Sequence, residues 1–397
     1  MIPYGRQSIN FWDVYAVVKQ LGFQSLTQGH KTIEFEEYAA EYCGAKYAVA
    51  VSSATAGLQI ALNSLDLPEN STVATSPISF VASSNSILYN NLKPYFVDID
   101  RKNGNISIEK LTELLQSGLQ ISAIVPVHFA GQSCNMLELK ELSNKYNFKI
   151  IEDAAHALGG HHLDGSKVGS CKFSDITVFS MHPVKSITSG EGGIITTNNK
   201  EIYLKLLRLR SHGINKLDDQ FINQINSQTN GETNLWYYEM IQLGYNFRLT
   251  DIQSALALSQ IKRLDKFISK RKKIALHYLK LLKNIKHIKP LIQVKEINRS
   301  ALHLYILDID FTKLRISRNQ LMQKLREKGI GSQVHYVPIP MQPYYRDLGF
   351  EPSDYPNAMS FYNSVLSIPI FPKLKKRSVK KISAALEVIV RESRSDL

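Results

Sequence analysis

Asp175-Ile176-Thr177-Val178-Phe179-Ser180-Met181-His182-Pro183-Val184-Lys185-Ser186-Ile187-Thr188-Ser189-Gly190-Glu191-Gly192-Gly193-Ile194-Ile195-Thr196-Thr197 decides how the rest of the chain is read. The β-branched and aromatic run over 175–179 predicts a buried strand, and Ile194 to Thr197 predicts a second. Between them lies a polar loop with Pro183, a single lysine and three glycines, Gly190, Gly192 and Gly193. Lys185 is therefore expected on a tight loop between two buried strands, five residues after the Ser180 hydroxyl. The glycines would let the backbone turn there. They do not form a dinucleotide-binding fingerprint, which needs its glycines between a strand and a helix.

Upstream, strand-like and helix-like segments alternate from Tyr47 onward. Tyr47 to Val51 precedes a helix over 54–65, with Leu58, Ala61, Leu62 and Leu65 on one face. Thr72 to Thr75, Pro94 to Asp98, Ala123 to Val127 and Lys149 to Asp153 repeat the pattern, and Asp164-Gly165 reads as a hairpin turn. This alternation specifies an α/β fold: a mostly parallel sheet covered by helices, with ligands gathered at the strand C-terminal ends. A second regime begins near Gly244. Thr250 and Gln253 form a capping box opening a long helix that is expected to run past the basic residues 270–273. It hands over to a smaller α+β domain with a strand over 301–309, a helix over 317–328 and a strand over 333–336. The expected division is a large domain, 1–255, then the linking helix and small C-terminal domain, 256–397.

Composition excludes several classes. Hydrophobic content of 44% and charged content of 21% are ordinary for a globular protein. No leader-like apolar run follows Met1, and no window reaches the roughly 18 apolar residues of a membrane span. Cys43, Cys134 and Cys171 are scattered and odd in number, which fits a reducing cytoplasm rather than a disulfide framework. The net charge of +13 sits in short runs, 270–273 and 373–377, without aromatic interleaving. These read as solvated surface that helps to attract an anionic substrate, with no nucleic-acid or membrane partner. His161-His162 has no carboxylate or cysteine at ligand spacing, so no metal is expected.

A lysine amine held away from bulk water is easily neutralised, and a neutral amine can form a Schiff base with an aldehyde. On a surface hairpin the same lysine would be an ordinary cation, so its surroundings decide. Pyridoxal 5'-phosphate (PLP) needs a lysine, an acid for its pyridine nitrogen, a phosphate cradle and a wall for the ring. Asp153 ends a buried strand thirty-two residues before Lys185. Ser52-Ser53-Ala54-Thr55 joins a strand to a helix, where hydroxyls and amides serve equally as caps or as an anion site. Phe80 is on a strand-to-helix loop, free either to cover a ring or to join the core.

With these parts in order, the chain resembles the DegT/DnrJ/EryC1/StrS sugar aminotransferases, fold-type I PLP-dependent transferases, over nearly its whole length. The resemblance is carried by Leu26-Thr27-Gln28-Gly29, Ser53-Ala54-Thr55, Glu152 to Ala157, Ser180 to Lys185 with Gly190-Glu191-Gly192-Gly193, Gly244 to Arg248, and His335-Tyr336-Val337-Pro338. Ser76 to Ala82, Leu209 to Gly213 and Gln333 to Tyr336 are similar to the branch acting in pseudaminic acid synthesis. By position, the resemblance implies that Lys185 holds PLP, Asp153 pairs with the pyridine nitrogen and His156 approaches the phenolic oxygen. Ser53, Ala54, Thr55 and Ser180 would bind the phosphate and Phe80 would stack on the ring. Asn246 would reach the phosphate of the neighbouring subunit, making a homodimer with shared sites. Tyr4, the turn Gln24-Ser25-Leu26-Thr27 and the segment Gln333-Val334-His335-Tyr336 would line the substrate cleft. The implied substrates are a UDP-linked 4-keto-6-deoxy-N-acetylhexosamine and L-glutamate, with another nucleotide 4-keto-6-deoxy sugar as the alternative. Dehydrases of the same family replace the lysine by histidine, and Lys185 is present.

Overall fold

The computed structural model describes residues 1–216 and 221–393. Strands made of unbroken apolar runs, rather than alternating ones, are stable only with both faces covered. Here they form a sheet of β1 (Tyr47–Val51), β2 (Thr72–Thr75), β3 (Lys93–Phe96), β4 (Ala123–Val125), β5 (Lys149–Asp153), β6 (Ile176–Ser180) and β7 (Gly193–Thr197). The order is β1-β7-β6-β5-β4-β2-β3, and β7 runs antiparallel to both neighbours. Ser180 pairs with Gly193, so the intervening residues, Lys185 among them, leave the sheet as one loop at the C-terminal end of β6.

Helix α1 (Phe11–Phe23) packs against the helix that begins at Asp251, and α2 (His30–Cys43), α3 (Ala54–Asn63), α4 (Ala82–Leu88), α5 (Ile108–Gln116), α6 (Met136–Tyr146) and α7 (Lys200–Arg210) are packed around this sheet. Phe35 and Ala39 of α2 share one core with Phe179 and Ile194. Leu58 and Leu62 of α3 meet Val178 and Ile195 in another, which is why Leu58 is buried as the helical spacing predicts. Ser53 caps α3 by accepting the Ala56 amide at 3.1 Å.

The expected long helix is two helices, α8 (Asp251–Ile261) and α9 (Leu264–Leu282). The capping box at Thr250 forms. The helix then breaks at Lys262 and Arg263, where Ser259, Gln260 and Arg263 all bond Asp13 of α1, and Arg263 leaves helical geometry. Leu264, Phe267 and Ile268 still pack in the core of the large sheet, whereas Ile274, Tyr278 and Leu282 join the next core. That core covers an antiparallel sheet of β8 (Ile288–Pro290), β9 (Tyr305–Ile309) and β10 (Val365–Ile368), with α10 (Arg318–Glu327) and α11 (Lys376–Glu392).

Three other expectations are corrected. The strand over 301–309 begins only at Tyr305, because the amides of Ala301 and His303 bond Gly131 and Ala130 instead of a strand partner. Gln333 to Tyr336 is not a strand: Gln333 makes one bridge to Ser367, and His335 then spends its ring on the Ser367 hydroxyl. The basic run 270–273 is not wholly solvated, since Arg271 is buried. Among the described residues no helix is long and apolar enough to cross a membrane.

Candidate active site

The ends of β1, β5 and β6, the loop before α4, and segments from the small sheet enclose a cavity of about 650 Å³. Its wall contains Tyr4, Ser53, Ala54, Thr55, Phe80, Asp153, His156, Ser180, Lys185, Gln333, Val334, His335 and Tyr336, so thirteen sequence-predicted residues meet in one place. Lys185 is half-buried, and burial drives its ammonium pKa down to about 8, with Asp153 opposing the shift. Asp153 ends β5; its Oδ2 accepts from Ser83 Oγ at 2.5 Å and its Oδ1 from the Ala155 amide at 3.1 Å.

The floor of the cavity is formed by α3. Gly193 makes the approach possible: a Cβ there would lie 2.8 Å from the Ala54 nitrogen and from the Ser53 carbonyl carbon and oxygen. Strand β7 can therefore pass directly beneath the turn whose amides open α3. An anion fits above that turn. Phe80 also lines the cavity, is 60% exposed and meets the Tyr336 ring at a tilt, centroids 6.2 Å apart, so one face is left open to a flat apolar group.

Three histidines crowd the remaining wall. His156 Nε2 is 3.0 Å from the Tyr336 hydroxyl, while its buried Nδ1 has no protein partner. His303 lies against it with the rings tilted by 34° and centroids 4.3 Å apart, and also leaves Nδ1 unpartnered. His335 Nδ1 meets Ser367 Oγ at 2.8 Å. Burial first, then Lys185 and the other histidines, hold His156 and His303 well below the ordinary imidazole range, and burial with Lys185 takes His335 to about 3. All three are neutral near pH 7. Burial pushes the Tyr336 hydroxyl above its ordinary value, so it remains a proton donor.

Five predicted residues stand elsewhere. Gln24, Ser25, Leu26 and Thr27 form an exposed turn after α1, tied down where Leu26 accepts the Asp251 amide. Asn246 is exposed on a segment bridged to Ser211 beside the end of α7. Neither group lines the cavity of its own chain. Conversely, Ser83, His303 and Glu191 belong to the site or support it and were not anticipated. A histidine between Leu302 and Leu304 in an apolar run was the available signal for His303.

Behind the cavity, Glu152 supplies a carboxylate beside His162 that ligand spacing in the sequence does not reveal. Its Oε2 is 3.7 Å from His162 Nε2 and 2.5 Å from His128 Nε2. These three groups have donor atoms within 4.8 Å of one another. The Cys134 amide, however, donates to His128 Nδ1, so the proton of that ring is on Nε2, directed at Glu152 rather than free to ligate. A structural hydrogen-bond cluster is the result.

This sheet order, with a lysine loop after β6 and a carboxylate at the end of β5, is the architecture of the fold-type I PLP-dependent aminotransferases. The chain belongs to the DegT/DnrJ/EryC1/StrS aminotransferase family, whose pattern matches residues 11–387, and is a sugar aminotransferase. It is 38% identical over 387 residues to the UDP-4-amino-4,6-dideoxy-N-acetyl-beta-L-altrosamine transaminase of Campylobacter jejuni subsp. jejuni serotype O:23/36 (strain 81-176), covering 97% of this chain and 96% of that protein. Helicobacter pylori PseC, an aminotransferase involved in the biosynthesis of pseudoaminic acid, superposes with a TM-score of 0.88 at 31% identity over 98% of this chain and 99% of the other. The PLP-form of the putative sugar aminotransferase Spr1654 from Streptococcus pneumoniae gives 0.86 at 27% identity, over 98% and 99%. Aminotransferases of this family are PLP-dependent, and the anion-ready turn, uncovered Phe80 and unpartnered His156 nitrogen fit that group.

Proposed function

We propose that this protein uses PLP to move an amino group from L-glutamate to C4 of a UDP-linked 4-keto-6-deoxy-N-acetylhexosamine, the step belonging to pseudaminic acid synthesis. The observation that carries the reading is that Lys185 and Asp153 face one cavity whose floor is a helix N-terminus. PLP bound here would supply an electron sink and a carrier for the amine. Lys185 Nζ, with its pKa near 8, is free base often enough to take the proton from the donor α-carbon. It returns a proton to the sugar in the second half-reaction. Asp153 keeps the pyridine nitrogen protonated, and His156 donates or accepts at the phenolic oxygen. Ser53, Ala54, Thr55 and Ser180 bind phosphate, and Phe80 covers the ring. Tyr4 and the Gln333 to Tyr336 segment hold the sugar nucleotide.

The substrate assignment is supported by the names of the Campylobacter transaminase and of PseC. A panel assay against the two C5 epimers of the UDP-4-keto sugar, with glutamate as donor, tests it; turnover confined to another nucleotide sugar refutes it. The cofactor assignment predicts a yellow protein whose visible band is lost on borohydride reduction. The pyridoxyl mass should then sit on the peptide containing Lys185, and finding it on another lysine refutes the role.

A shared-site homodimer accounts for the placement of the Gln24 to Thr27 turn and Asn246, which would serve the partner's cavity. Exposed Phe11, Trp12, Val18 and Phe23 on α1, with Ile225, Leu235 and Trp236, provide apolar surface for such an interface. Mixing Lys185→Ala and Asn246→Ala proteins should raise activity above the parental mean, since a hybrid dimer holds one intact site. Verified subunit exchange without that rise refutes the shared site.

A further inference from the structure

Arg271 is 1% exposed in the middle of α9, although Lys270 and Lys273 beside it face solvent. No described acidic side chain is paired with it, and burial alone lowers its pKa, to about 10. Its Nη1 donates instead to three carbonyls: Leu302 at 3.1 Å, Ile370 at 3.1 Å and His303 at 3.3 Å. Burying a guanidinium without a counter-charge is unfavourable, and the converging carbonyl dipoles are what offsets it here.

Those carbonyls lead to the cavity from two sides. Leu302 sits at φ 52°, in the left-handed region, which turns its carbonyl toward the arginine. The His303 amide donates to Ala130 O at 3.1 Å, so the His303 backbone is held through both its amide and its carbonyl. Its imidazole is left facing the cavity, in tilted contact with His156. On the other side, the Ile370 amide donates to Tyr4 O at 3.1 Å, and the Tyr4 ring lines the cavity next to His335.

We propose that Arg271 is a positioning residue of the active site: its unpaired guanidinium gathers the Leu302, His303 and Ile370 carbonyls and so aims His303, and through Ile370 also Tyr4, at the substrate. What His303 does once aimed rests on the aminotransferase reading above; its placement does not. Lysine keeps the charge but is one bond shorter, and methionine removes the charge.

The test uses the PLP-loaded full chain, its Arg271→Lys, Arg271→Met and His303→Asn variants, and the Arg271→Lys/His303→Asn double variant. In protein labelled with ¹⁵N-histidine, the His303 ring signals, assigned by their loss in His303→Asn, should shift in both Arg271 variants, more in Arg271→Met. Per PLP-loaded site, kcat/KM should fall about tenfold in Arg271→Lys and no further in the double variant than in His303→Asn alone, the signature of one residue acting through another. Unshifted His303 signals, multiplying losses, or a lowered Tm with an unchanged per-site rate would each overturn the proposal. Should the Arg271 variants not fold, Ser300→Ala removes the hydroxyl that accepts the Leu302 amide at 2.9 Å, loosening the same turn with the arginine intact. His303 signals that stay in place there also overturn it. A wild type without aminotransferase activity refutes the function and leaves the histidine signals to decide Arg271.

Discussion

Glu152 and Asp153 are neighbours on one strand, yet their carboxylates have opposite fates. Successive side chains on a strand point to opposite faces, so Glu152 enters the core behind the sheet while Asp153 reaches the cavity in front. Glu152 accepts from the fully buried His128 Nε2 at 2.5 Å and Thr177 Oγ1 at 2.9 Å, and from the half-buried Ser174 Oγ. Asp153 has the Ser83 hydroxyl and one backbone amide, and beyond them open cavity. A carboxylate whose lone pairs the protein fills is a fastener. One left with acceptor capacity beside a cavity is available for chemistry.

The largest effect is expected in front. Asp153→Asn keeps shape, and the Ser83 hydroxyl can rotate to accept from the amide, so folding should be nearly unchanged. The charge that would keep the pyridine nitrogen protonated is gone. Per PLP-loaded site, turnover should fall on the order of a thousandfold. Near wild-type turnover would make Asp153 as structural as its neighbour and erase the contrast.

Behind the sheet the same change should reverse the balance. In Glu152→Gln the amide oxygen can face His128 while the Ser174 and Thr177 hydroxyls turn to accept. Only the charge assistance is lost, about 1–3 kcal/mol of stability in denaturant unfolding, with the per-site rate intact. Burial alone would raise the Glu152 carboxyl, but the His128 hydrogen bond, the nearby His162 and the Ser174 hydroxyl together hold it at about 2, below its ordinary 4.5. A depressed acid stabilises the fold above its unfolded pKa and loses that contribution as pH falls through the folded one. The stability gap between wild type and variant should therefore be full near pH 6 and close between about pH 4.5 and 2. A gap independent of pH would show that folding does not shift the Glu152 pKa, and one that shrinks as pH rises above about 4.5 would show that the buried carboxyl is neutral.

This contrast also marks what was legible in the sequence. Asp153 and Lys185 could be placed because a strand end is a local feature: Asp153 closes one buried run, and Lys185 lies on the short loop that leaves the other. The Ser53 to Thr55 turn was legible for the same reason. His303 was not, because its position depends on the Ala130 carbonyl that accepts its amide and on Arg271, both distant in sequence. Arg271 itself was hidden inside a basic run whose other members are solvated, and the helix break at Lys262 depends on Asp13, some 250 residues upstream. Local periodicity reports which face an element buries. It carries no information about which remote group interrupts that element.

The smallest and sharpest comparison deletes one hydroxyl from each carboxylate. Ser83→Ala removes the 2.5 Å donor from Asp153, and Thr177→Val, nearly isosteric, removes the 2.9 Å donor from Glu152. Each change subtracts one charge-assisted hydrogen bond together with a neutral contact, to Ser79 Oγ at 2.6 Å from Ser83 and to Cys171 Sγ at 3.4 Å from Thr177, so the free energies at stake are similar, roughly 1–2 kcal/mol. They should surface in different measurements. Without Ser83, the Asp153 anion is less stabilised and rotates more freely toward the cavity, so turnover per PLP-loaded site should fall about three- to tenfold with little change in Tm. Without Thr177, Glu152 keeps His128 and Ser174 but loses a bond in a place no water can reach, so stability should fall by about 1–2 kcal/mol at constant turnover. If Thr177→Val slows turnover as much as Ser83→Ala does, the two faces of β5 are one electrostatic unit, and the division between fastener and reactive group is wrong.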